Sequence, residues 1–139
     1  DDKIRYCSGI QFESLSSVRW KAFDTCSGQL VAFLDCDDRW HPQKLEKQVS
    51  VYLKTKANIV YSSIYIFNNE GKITKFRKQP NKIFTTYPKK MARSLYIHPQ
   101  SVLIERNFVL TNGVAWIDGL TCLGDYCFFS HLLEKETSF

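Results

Sequence analysis

The sequence of 139 residues has no apolar run approaching the roughly 18 to 20 consecutive residues that a membrane-crossing helix needs. Its first residues, Asp1-Asp-Lys-Ile-Arg5, lack the apolar stretch of a secretory signal. A soluble protein is expected. Cysteine is present without a framework: Cys7, Cys26, Cys36, Cys122 and Cys127 are odd in number, scattered, and free of Cys-x-x-Cys spacing or nearby histidine pairs. A reduced, cytoplasmic compartment follows more naturally than disulfides or a zinc site. There is no glycine-rich phosphate loop, and the three histidines do not fall into Ser/His/Asp spacing. Internal repeats, low-complexity tracts and linkers are also missing. Acidic residues are absent from 72 to 104, where Lys72, Lys75, Arg77, Lys78, Lys82, Lys89, Lys90 and Arg93 all fall. Such a stretch is most often a solvated face. If it has a partner, an anionic membrane surface or a diphosphate ranks above nucleic acid, because no nucleic-acid fold signature accompanies it.

What is present is a composition for one domain over residues 1–139, with 44% apolar and 14% aromatic residues to build a core. The most informative stretch is Leu30-Val-Ala-Phe-Leu-Asp35-Cys-Asp37-Asp38-Arg-Trp40-His-Pro42, an apolar run that ends in three carboxylates. A short apolar run reads as a buried parallel strand, and loops at the carboxyl ends of such strands are where open α/β sheets bind ligands. Carboxylates packed this closely repel one another, and Asp-x-Asp offers hard oxygens suited to Mg²⁺ or Mn²⁺ carrying phosphates. A solvated acidic turn capping the next helix is the plainer alternative.

Around this motif the local signals predict a series of elements. Residues 3–6 fit a short strand. Leu15, Val18, Ala22 and Cys26 share one face of a helix with Ser14 or Ser16 as N-cap and Gly28 as its stop. Pro42 suits the first position of a second helix striped by Leu45, Val49, Tyr52 and Leu53, with Trp40 and Leu45 as a hydrophobic staple. Residues 57–67 and 72–76 form a hairpin around Asn68-Asn69-Glu70-Gly71, and 77–97 is loop with a short helix near 89–94. A buried strand at 101–104, a short helix at 106–111 stopped by Asn112-Gly113, and a helix at 125–133 with Phe129, Leu132 and Leu133 inward complete the chain.

The stretch from Gly28 to Gln48 resembles the Asp-x-Asp region of family 2 glycosyltransferases, nucleotide-sugar transferases of bacterial polysaccharide and lipopolysaccharide assembly. Asn58-Ile-Val-Tyr-Ser-Ser63, Gln100-Ser-Val-Leu-Ile-Glu-Arg106 and Gly124-Asp125-Tyr126 are similar to the family's later blocks, in the same order. The resemblance implies the GT-A fold, a three-layer αβα sandwich on a mostly parallel sheet. It implies a metal-dependent enzyme that inverts a sugar as it moves it from a nucleotide-diphosphate donor to a saccharide or lipid-linked acceptor. In that reading Asp35 contacts the nucleotide ribose, Asp35 and Asp37 serve Mn²⁺ or Mg²⁺ with Asp38 in support, and Arg19 lies near the nucleotide. Asp125 matches the family's general base, with a helix cap as the even alternative. Two departures stand out: Trp20 replaces the family's Asn after the arginine, and Gly124 stands where an acid usually precedes the base. Trp116 matches a turn before the base and is either a core aromatic or a border of the acceptor site.

The family's first two βα units, ending in Pro-x-Tyr-Asn and Asp-Asp-Gly-Ser, have no counterpart here, so the domain reads as incomplete at its N-terminus. The core from 30 to 104 is then expected to keep the family's arrangement and residues before Ser14 to be displaced. Localisation is expected to be cytoplasmic, peripheral at the inner face of the plasma membrane. An inactive remnant or interaction domain is the main rival, and a haloacid-dehalogenase-type phosphohydrolase the lesser one, since Asp38-Arg39-Trp40 follows the acids where that group carries a small apolar residue and Thr or Val.

Overall fold

Ser14 begins the first helix: its Oγ accepts the Ser17 N–H at 3.1 Å, leading into α1 (Leu15–Thr25). The computed structural model describes residues 4–6, 14–80, 97–117, 119–120 and 123–135. The helix ends before Gly28. Cys26 turns extended and the Thr25 hydroxyl folds back onto the Lys21 and Ala22 carbonyls, which supplies a stop with no glycine in it. The inward face also differs from the apolar stripe: Ser16, Arg19 and Phe23 are buried, whereas Leu15 and Val18 are exposed. Apolar periodicity fails here because the face of α1 turned inward carries a charge whose partners lie elsewhere in the chain.

Beyond α1 come β1 (Leu30–Val31), α2 (Lys44–Thr55), β2 (Ile59–Tyr61), β3 (Ile64–Phe67), β4 (Ile73–Arg77), a 3-10 turn (Pro99–Ser101), β5 (Val102–Glu105), α3 (Arg106–Thr111) and α4 (Gly124–Lys135). β3 and β4 make the expected hairpin, closed by Gly71 at φ 78°. The run from 57 to 67 breaks at Ser62 and Ser63 into two strands. The main sheet has the order β1-β5-β2, with β5 antiparallel to both neighbours. This corrects the mostly parallel sheet: β1 and β2 do run in the same direction, but each ladder among the described residues is antiparallel, because β5 separates the two. Val102, Leu103 and Ile104 are all buried, as a strand covered on both faces requires.

One face of the sheet, carrying Val31, Ile59, Val102 and Ile104, packs on Phe23 of α1, Val109 of α3 and Phe128, Phe129, Leu132 and Leu133 of α4. On the other face α2 lies over β2 and β5. Its buried residue is Gln48, which donates to the carbonyls of Ser101 (2.8 Å) and Val60 (3.2 Å). The predicted stripe is largely outside, with Leu45 and Leu53 exposed. Helix α2 starts two residues after Pro42, with Gln43 as its cap, so Trp40 and Leu45 lose the two staple positions. Trp40 instead lies under the Lys44 ammonium, 4.4 Å from ring centroid to Nζ. Residues 4–6 form no strand, and Ile4 and Tyr6 are exposed. The helix proposed near 89–94 falls outside the described residues.

Candidate active site

Asp35 sits where the chain has left β1, at the end of the Leu30 run, and Arg19 approaches it from α1. Arg19 is 7% exposed, a buried charge rather than a surface one. Its Nη2 donates to Asp35 Oδ2 at 2.7 Å, and its Nη1 reaches both Asp125 oxygens at 2.7 Å. One guanidinium therefore joins the first acid of the Asp-x-Asp motif to the residue matched with the general base. A planar, permanently charged fork suits this bridging, and a lysine would not reproduce it.

Asp125 lies in the first turn of α4, but its carboxylate points away from cap duty. It takes the Trp116 indole N–H on Oδ1 at 3.0 Å in addition to Arg19. Trp116 belongs to the core: it is 4% exposed, stacks on Phe128 with ring centroids 3.5 Å apart, and meets Phe33 edge-on. A donor held this firmly fixes the orientation of Asp125. A carboxylate has about four acceptor sites, and these contacts use three, leaving one on Oδ2. The Asp125 side chain as a whole keeps 34% of its surface open.

Asp37 is exposed and Asp38 half-buried, both in the turn after Asp35, where the Asp38 N–H donates to the Asp35 carbonyl at 3.1 Å. Asp37 has no hydrogen bond or ion pair among the described residues. Among those residues no three His, Cys, Asp or Glu side chains converge to hold a metal ion. The donor set is nonetheless one of hard oxygens with room around Asp37, which fits a cation whose shell is completed by phosphates and water. Asp35, Asp37, Asp38 and Asp125 together outnumber the guanidinium groups of Arg19 and Arg39, which leaves this region acidic.

The departures from the family pattern have physical readings. Trp20 stacks on Phe23 at 5.7 Å and packs against the core, so position 20 serves packing. Gly124 is buried, and a Cβ there would fall on Ser16 Oγ, which donates to the Leu120 carbonyl at 3.2 Å. On α2, Lys44 Nζ donates to Gln48 Oε1 at 2.7 Å and forms no ion pair with a carboxylate among the described residues; burial lowers its pKa from 10.5 to about 8. Sequence reasoning missed Ser16, Lys44 and Gln48. For the last two a signal existed: Trp40, Lys44 and Gln48 recur every four residues on α2's approach and first turns.

The sequence family described as Glycosyl transferase family 2 matches residues 1–111. The chain belongs to this family. As a family 2 glycosyl transferase it is 32% identical over 109 residues to the Escherichia coli UDP-Glc:alpha-D-GlcNAc-diphosphoundecaprenol beta-1,3-glucosyltransferase WfgD, covering 78% of this chain and 42% of WfgD. It is 30% identical over 107 residues to TuaG of Bacillus subtilis (strain 168), named for teichuronic acid biosynthesis, covering 76% and 41%. The chain thus spans about two fifths of the length of these curated relatives. Its fold matches the crystal structure of S. aureus TarS 1-349 with a TM-score of 0.67, at 14% identity, over 89% of this chain and 36% of that one. That likeness shows the α/β GT-A architecture. Among the described residues no helix is long and apolar enough to cross a membrane.

Proposed function

We propose that this domain transfers a sugar, with inversion, from a nucleotide-diphosphate donor to a hydroxyl of a saccharide or lipid-linked acceptor in bacterial cell-surface polysaccharide or lipopolysaccharide synthesis. The observation that carries the reading is the Arg19 bridge, which joins Asp35 and Asp125. Family membership and the names of WfgD and TuaG support the same class of reaction. Asp125 Oδ2 takes the acceptor's proton as the acceptor oxygen bonds to the anomeric carbon. The bond from that carbon to the diphosphate breaks on the opposite side, and its electron pair leaves with the phosphate. Asp35 orients the nucleotide, and Asp37, with Asp35 and Asp38 beside it, would hold Mn²⁺ or Mg²⁺. When bound, that cation neutralises charge on the leaving diphosphate.

The exposed Lys72, Lys75, Arg77 and Lys78 on and beside β4 suit a peripheral contact with the anionic inner face of the plasma membrane. UDP-glucose is the first donor to try, since WfgD is named for it. In the full-length protein, Asp125→Asn is expected to keep Mn²⁺-dependent UDP binding by calorimetry and to lower turnover roughly a hundredfold or more, the scale of a lost general base. Asp37→Ala is expected to abolish the metal dependence of that binding with the fold intact. Near-normal turnover in the first variant, or undiminished metal-dependent binding in the second, would reject these assignments.

A further inference from the structure

Gln100 is 7% exposed, and neither Nε2 nor Oε1 of its side chain has a hydrogen-bond partner among the described residues. A buried amide left unpaired destabilises a fold, and native proteins retain few such groups. Arg19 Nε, Trp40 Nε1 and Arg106 Nε are also buried without a partner, but Gln100 is the residue among them that leaves both a donor and an acceptor unpaired. Next to it, the Ser101 carbonyl accepts from Ser62 N, Ser62 Oγ and Gln48 Nε2, and Ser101 Oγ donates to the His98 carbonyl. Adjacent polar groups are thus satisfied in full while Gln100 is not.

Its place in the sheet says where a partner would come from. Strand β5 is antiparallel to β1 and β2, with Tyr61 opposite Val102, so the turn carrying Gln100 adjoins the carboxyl ends of both neighbours. Asp35 follows β1 on that same edge. An amide both donates and accepts, as a sugar hydroxyl does, whereas a phosphate or a cation would engage only half of it. We propose that Gln100 binds a hydroxyl of the sugar carried by the nucleotide donor and so helps select that sugar. This rests on the donor reading given above.

The test uses the full-length protein and Gln100→Met, a variant of similar length and shape that removes both polar atoms. Affinities for UDP and for UDP-glucose are measured by calorimetry with Mn²⁺, alongside thermal unfolding without ligand. The variant should bind UDP as the wild type does and UDP-glucose about tenfold more weakly, the worth of one hydrogen bond. Its melting temperature should hold or rise, since an unpaired buried amide has been removed. Unchanged UDP-glucose affinity, or a melting temperature lower by several degrees, overturns the role of Gln100 and leaves the donor reading standing. Failure of the wild type to bind UDP at all overturns the donor reading, and this proposal with it.

Discussion

At the scale of single residues, the site is organised by charges and small atoms more than by apolar surface. Arg19 and Trp116 hold Asp125 from two sides, so the orientation of its carboxylate is set by the fold itself. Ser16 takes the space that an acid, or any side chain, at position 124 would need. Gly124→Ala should therefore cost about 1–3 kcal/mol as an overpacked site. Adding Ser16→Ala should recover much of that loss, because the obstructing hydroxyl is gone and the two positions are coupled. A denaturant double-mutant cycle checks this, and strictly additive losses would show that the two residues do not compete for one volume. The acids and Arg19 could be picked out from the sequence because they sit in a recognisable order. Ser16 could not, since its significance depends on a residue more than a hundred positions away.

Among the elements, α2 shows how a helix can dock on a sheet through polar groups. Gln48 is fixed by the carbonyls of Val60 on β2 and Ser101 in the turn before β5, and Lys44 is fixed by Gln48 and the Trp40 ring. Because burial lowers the Lys44 pKa from 10.5 to about 8, the folded state binds fewer protons than the unfolded state between those values. Stability should then rise with pH from about 8 upward, the handicap of the buried charge being fully present below that value. Tyr61, raised above its ordinary 10.0 by burial, opposes this only in the alkaline range beyond 10. Lys44→Met should flatten the rise, and urea unfolding at about pH 7.5 and pH 9.5 reads it out. An equal rise in the variant would assign the effect to another group. The hairpin, α3 and α4 were legible because turn residues and local apolar spacing decide them. The inward faces of α1 and α2 were not: each is set by Arg19 or Gln48 meeting polar groups that other elements bring in.

For the whole molecule, the apolar core and the charged site share their supports, since Phe33 precedes Asp35 by two residues and Trp116 belongs to both. Ile104, fully buried on the central strand, is a sensitive point. Ile104→Ala should cost about 2–5 kcal/mol by denaturant unfolding, a large share of the roughly 5–15 kcal/mol that holds a domain together. A loss within about 0.5 kcal/mol, the range of surface substitutions, would contradict the burial. The order β1-β5-β2 carries one more consequence, for synthesis rather than catalysis. The ribosome makes both outer strands first, and neither has its partner until residues 102–105 emerge, with 62–101 interposed after β2. The three-stranded sheet can close only in a late, non-local step, the kind that slows folding and leaves strand edges open to other chains. A nascent protein stalled before residue 102 would be a natural client for chaperones.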